Sequence, residues 1–188
     1  MHRLTRLPAI VLSLVTLAGV ALGASAPVSY SARLVNFDEP GAPGPGLVQV
    51  RVTRWASDAD RDALTSALLA EGQQGVLDVL KKMPEAGVIR TPGTAGYPFK
   101  YARSLTNADG EETVLVIIDR PIGFAEFRQG WQTIDYPFTI VELKLNDRGI
   151  GQGRLMAATR IDANAATRDI SFEQYSASAM LLQSVRRE

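Results

Sequence analysis

The chain has one histidine, His2, and no cysteine. Ser-His-Asp and Cys-His nucleophilic catalysis both need an imidazole base. Zinc, copper and haem sites rest on His or Cys ligands. If His2 belongs to a leader that is removed, these chemistries are closed, and no metal and no cofactor is expected. Carboxylate chemistry, Ser-Lys or Tyr chemistry, oxygen-ligated Ca²⁺ or Mg²⁺, and binding without catalysis stay open. The carboxylates are awkwardly spaced for the first of these. Asp135 and Glu142 lie on what reads as one long strand, so local geometry cannot make them a close pair. Glu142, between Val141 and Leu143, is better placed for an ion pair with Arg120 or Arg154. Asn107-Ala108-Asp109-Gly110-Glu111-Glu112 gathers oxygen atoms, but an EF-hand type of loop needs a longer spacing and a final Glu at its twelfth position. A polar turn is expected instead. Gly149-Ile150-Gly151-Gln152-Gly153 sits between two strand patterns. A dinucleotide loop needs a strand, then the glycines, then a helix, so a wide hairpin or a bulge is expected. No catalytic residue is assigned.

The aromatic residues point to binding. Eight of them fall between Tyr97 and Phe138. Trp131 lies in a polar setting of Arg128, Gln129, Gly130 and Gln132. Tyr-Pro-Phe occurs twice, at Tyr97-Pro98-Phe99 and Tyr136-Pro137-Phe138, each ahead of a strand pattern, where proline is tolerated. Aromatic side chains give large contact area for little lost rotamer freedom. Trp131, Tyr136 and Tyr97 are therefore the candidate ligand-binding residues, on the rim of a curled sheet, with Arg120 or Arg128 as an orienting charge. The expected function is non-enzymatic: binding of a small apolar or amphipathic ligand, or of a protein partner. Two alternatives compete. A carboxylate-based hydrolase acting on carbohydrate would need two acidic groups about 5–10 Å apart across one groove. A structural envelope-interaction protein would need no concave site. Arg90-Thr91-Pro92-Gly93 and Ile134-Asp135-Tyr136-Pro137-Phe138-Thr139 also stand out as signatures, with no activity attached to either.

The N-terminus sets the expected compartment. Arg3 and Arg6 precede an uncharged run from Leu7 to Gly23, and Ala24-Ser25-Ala26 follows. This is the layout of a secretory signal peptide over 1–26, cut after Ala26 or after Gly23. An uncleaved anchor is the rival, because about 20 apolar residues span a bilayer. Pro8, Ser13, Thr16 and Gly19 dilute the stretch. An exported protein, periplasmic or extracellular, is expected, with no membrane attachment after cleavage. Residues 27–188 then form one domain, long enough to bury a core without disulfides. Removing 1–26 takes two of the 20 basic residues and none of the 20 acidic ones. No basic surplus remains to attract nucleic acid.

The elements that would position these residues follow from periodicity. Val48, Val50 and Val52 alternate with Gln49, Arg51 and Thr53, the pattern of a strand with one buried face. Ser57 is a helix N-cap, with Asp58 and Asp60 in the first turn. Two helical patterns follow. Leu64, Ala67 and Leu68 mark the first; Val76, Val79, Leu80 and Met83 mark the second; Gly72 to Gly75 lies between them. Lys81, Lys82 and Pro84 close the second. Short strands with hairpin turns resume and run to the end. Val114 to Ile118 is apolar on both faces and should be central. Ala179 to Val185 is read as strand. The expected fold is α+β: a mostly antiparallel, curled sheet of eight or nine strands, barrel-like or sandwich-like, with a two-helix insertion after the second strand.

Overall fold

The alternation in the second strand is the plan of the whole molecule. Val48, Val50 and Val52 are all buried, while Arg51 between them is exposed. The computed structural model describes residues 26–35, 46–122, 135–163, 170–175 and 180–188. The elements in chain order are β1 (Val28–Val35), β2 (Gly46–Val52), α1 (Asp58–Lys82), β3 (Gly87–Arg90), β4 (Tyr97–Phe99), β5 (Tyr101–Thr106), β6 (Glu112–Ile118), β7 (Phe138–Leu145), β8 (Ile150–Ala163), β9 (Ile170–Gln174) and β10 (Met180–Arg187). All described strand pairs are antiparallel. The order across the sheet is β4-β3-β2-β1-β10-β8-β7-β6-β5, with β9 beside β8. Only Lys100 separates β4 from β5. One bent ribbon therefore pairs with β3 through its first half and with β6 through its second, and the sheet comes back on itself as a nearly closed barrel. The α+β, mostly antiparallel, curled architecture read from the sequence is the one observed.

The hairpins at one end of this barrel share one chemistry. In the β5–β6 turn, Asn107 Oδ1 accepts hydrogen bonds from the backbone N–H groups of Asp109 and Glu111. In the β7–β8 turn, Asn146 Oδ1 accepts from Arg148 and Ile150. An Asn that mimics a backbone turn in this way, with Gly three residues on, fixes a tight reversal. The polar turn expected at Asn107–Glu112 is thus present. The glycines after the second turn lie within β8. A Cβ on Gly151 would meet Lys144 O at 1.8 Å, and one on Gly153 would meet Glu142 O at 2.4 Å. These glycines let β7 and β8 approach closely as the wall curves. They are strand glycines, as the absence of a following helix pattern implied.

The two expected helices are one element. Ser57 Oγ accepts from the Asp60 N–H, and the Asp60 carboxylate accepts from the Ser57 N–H, a reciprocal capping box. The helix is bent where Gly72 takes φ 63° and ψ −145°, a conformation that disfavours any side chain. No loop intervenes, because both halves stay on the same wall. Leu64, Val76, Leu80 and Met83 pack with Tyr101, Ile117, Phe138, Ile140, Met156 and Ile161 on the outside of β5 to β8. Gln73, just past the bend, joins its amide to both backbone groups of Ile161: Nε2 donates to the carbonyl at 2.7 Å, and Oε1 accepts from the N–H at 3.0 Å. One bent helix, not a pair, follows the second strand, and it covers one face of the sheet. That cladding is why β6 is apolar on both faces. Val114, Val116 and Ile118 join the barrel core, while Leu115 and Ile117 meet the helix.

Candidate functional site

The two ends of the barrel differ in chemistry. The end with the Asn turns is polar. Glu112, at the start of β6, is 7% exposed. Its Oε1 accepts from Ser104 Oγ at 2.5 Å and from Tyr30 Oη at 3.5 Å, and its Oε2 pairs with Arg187. Arg187 also lies over the Tyr30 ring, 5.8 Å from its centroid. Burial raises the Tyr30 phenol above its ordinary value, and the neighbouring Arg187 opposes the rise. These four residues come from β1, β5, β6 and β10, so the cluster ties four strands together. It borders an open cleft of about 550 Å³ lined also by Trp55, Asp58 and Arg103. Asp58 is held by Arg103 at 2.8 Å, and that hydrogen bond lowers its carboxyl below the usual range. Two acidic groups thus face one cleft, but an arginine engages each of them.

The other end is apolar. β1 ends there, β2 begins, β3 ends and β4 begins. Between them lies a cavity of about 460 Å³ walled by Leu34, Val48, Ile89, Ile122, Leu155 and Met180. Val48, Ile89 and Leu155 are also core residues, so the floor of the cavity is the core itself. Ile122 is fixed there by its N–H, which donates to Thr139 Oγ1 at 3.1 Å. The rim is the β3–β4 connection. Arg90, Thr91, Thr94, Gly96 and Tyr97 edge the opening, and the Thr94 hydroxyl donates to the Thr91 carbonyl at 2.9 Å to hold the turn. Arg120 stacks over the Tyr97 ring at 5.8 Å. The arrangement offers an apolar interior and a small number of polar groups at the mouth, the usual make-up of a small-molecule site.

The residues singled out from the sequence distribute as follows. Tyr97 lies on the rim of the apolar cavity, and Arg120 lies over its ring. Tyr136 belongs to a different cluster: its hydroxyl donates to Glu173 at 2.8 Å, its ring meets Tyr175 edge-on at 5.2 Å, and Arg160 lies over it at 5.9 Å. The hydrogen bond to Glu173 raises its phenol pKa. Trp131 and Arg128 lie outside the described residues. The first Tyr-Pro-Phe is itself β4, and the second leads into β7. Glu142 pairs with Arg154 across β7 and β8 at 2.5 Å, as its flanking apolar residues suggested. The apolar wall has no signal of its own in the sequence. Its members belong to strands distant in sequence, and alternation alone says that they face inward, not that space remains between them. The Arg90-Thr91 signature was visible, and its meaning is a place on the rim. The chain matches no protein-family model, no curated protein and no solved structure.

Proposed function

We propose that this protein is a non-enzymatic binding module that takes a small apolar or amphipathic molecule into the open end of its barrel. One observation carries this reading: a cavity of about 460 Å³ whose walls are aliphatic and whose polar groups are confined to the mouth. Ligand sites run from about 300 to 1,000 Å³, and the mouths of β-barrels are a recurring place for them. An unfilled apolar cavity costs a fold stability, and a ligand that fills it restores the lost contacts. The opposite cleft supports catalysis less well, because Asp58 and Glu112 are already engaged by Arg103 and Arg187. The basic, apolar and small-residue run over 1–26 supports export, so the ligand would be met outside the cytoplasm. N-terminal sequencing of the protein recovered from an expressing cell tests that part. The binding itself is tested by titration with the neutral probe N-phenyl-1-naphthylamine. Saturable fluorescence enhancement is expected in the native protein and its loss in Leu155→Trp, where an indole fills the cavity. No saturable enhancement in the native protein would refute the reading.

A further inference from the structure

The cavity also specifies the charge of what it holds. Among its described lining residues Arg90 is the only charged one, and none carries a carboxylate. Arg90 sits at the end of β3, where the wall meets the mouth, and its side chain is exposed. Its hydrogen-bond partner is neutral: Nε donates to Gln49 Oε1 at 3.3 Å. A second cation, Arg120, does not line the cavity itself but is exposed and rests on the face of the lining Tyr97. Neither arginine forms an ion pair among the described residues. Four arginines elsewhere are closely paired, Arg54 with Asp60, Arg103 with Asp58, Arg154 with Glu142 and Arg187 with Glu112, while Arg33, Arg51, Arg148 and Arg186 form no ion pair among the described residues. The apolar mouth is therefore edged by Arg90, with Arg120 over the ring of the lining Tyr97, and neither guanidinium has an acidic partner among the described residues.

We infer that the ligand is a single-chain amphiphile with an anionic head, its alkyl chain in the cavity and its carboxylate or phosphate monoester on Arg90 and Arg120. This rests on the binding reading above and adds the polarity and orientation of the ligand to it. A guanidinium presents a planar fork of donors that matches both kinds of anionic head. A cationic head would meet two like charges at the mouth. A neutral head would find the Thr91 and Thr94 hydroxyls but leave both arginines to water. The chain and the head thus act on separate parts of the site, and their effects should separate in a titration.

The test is displacement of N-phenyl-1-naphthylamine from the whole protein by four ten-carbon competitors: decanoate, decyl phosphate, decanol and decyltrimethylammonium. At least one of the two anions should displace the probe at about tenfold lower concentration than decanol, the margin of a charge-assisted hydrogen bond. Decyltrimethylammonium should be the weakest. Shortening the preferred anion by one CH₂ should weaken it about fourfold. Arg90→Gln with Arg120→Gln should bring the anion to parity with decanol and leave decanol unchanged, whereas Arg90→Lys should keep most of the preference. Equal displacement by anion and alcohol in the native protein overturns the inference while the cavity reading stands. So does an anion preference that survives the double substitution. Absence of probe binding altogether overturns both.

Discussion

At the scale of single residues, two carboxylates on β6 and β7 have opposite value. Glu112 is buried and accepts from Ser104, Tyr30 and Arg187. Truncation removes the acceptor of all three. Glu112→Ala should cost about 2–4 kcal/mol, less than a fully buried pair because Arg187 retains access to water. Glu142 pairs with Arg154 on the outer wall, where the Arg154 side chain is 48% exposed. Glu142→Ala should cost under about 1 kcal/mol. Urea unfolding of the two variants decides this contrast, and equal costs would contradict the assignment of one as a tie and the other as a surface pair. The buried phenols make a second point. Burial raises Tyr30 and Tyr101 above the ordinary 10.0, with Arg187 and Arg103 opposing the shift. An acid whose folded pKa is raised releases its proton more readily when unfolded. The stability these tyrosines contribute is therefore fully present below pH 10 and is lost as the pH rises toward their folded values. Melting temperatures measured between pH 8 and 11 should fall above pH 10, and Tyr30→Phe should blunt the fall.

At the scale of elements, curvature is set by a few backbone positions. Gly151 has a neighbouring carbonyl where a Cβ would go, whereas Gly46 has nothing within 4 Å. Gly151→Ala should destabilise by about 3 kcal/mol and Gly46→Ala should be close to neutral. Ser184 sits at φ 52° where the β8–β10 register shifts. A glycine there relieves the left-handed conformation, so Ser184→Gly should gain about 0.5–1 kcal/mol. The helix offers a third check. Leu80 is fully buried between α1 and the wall, and Leu80→Ala should cost about 2–5 kcal/mol. Much of this level was legible in the sequence. The cap at Ser57, the stop after Lys82, the valine alternation of β2, the two-faced β6 and the terminal strand all arise from local rules. The break between Gly72 and Gly75 was legible too, but not its outcome. A glycine that ends one helix also permits the next to start at once. Only the shared wall, with Gln73 anchored on Ile161, decides that the halves stay together.

At the scale of the whole molecule, closure depends on facts that no local pattern contains. The ribbon from Tyr97 to Thr106 changes partners at Lys100, and that single bend brings β3 round to β6. Sequence alternation predicts a curled sheet but not where its two edges meet. The same gap explains the fate of the candidate site. Residue type marks Tyr97, Arg120 and Tyr136 alike, but the fold brings only Arg120 onto Tyr97 at the mouth; the long β8 with β9 carries the partners of Tyr136 elsewhere. The walls come from β1, β2, β3, β8, β10 and Ile122 after β6, and they have no common sequence signal. A binding role requires a ligand to occupy that space. The most direct measurement is the set of nuclear Overhauser contacts between bound N-phenyl-1-naphthylamine and the methyl groups of the isotope-labelled protein. Contacts to Val48, Ile89, Leu155 and Met180 are predicted. Contacts confined to Leu64, Leu68 and Leu115, on the helix side of the wall, would contradict the account.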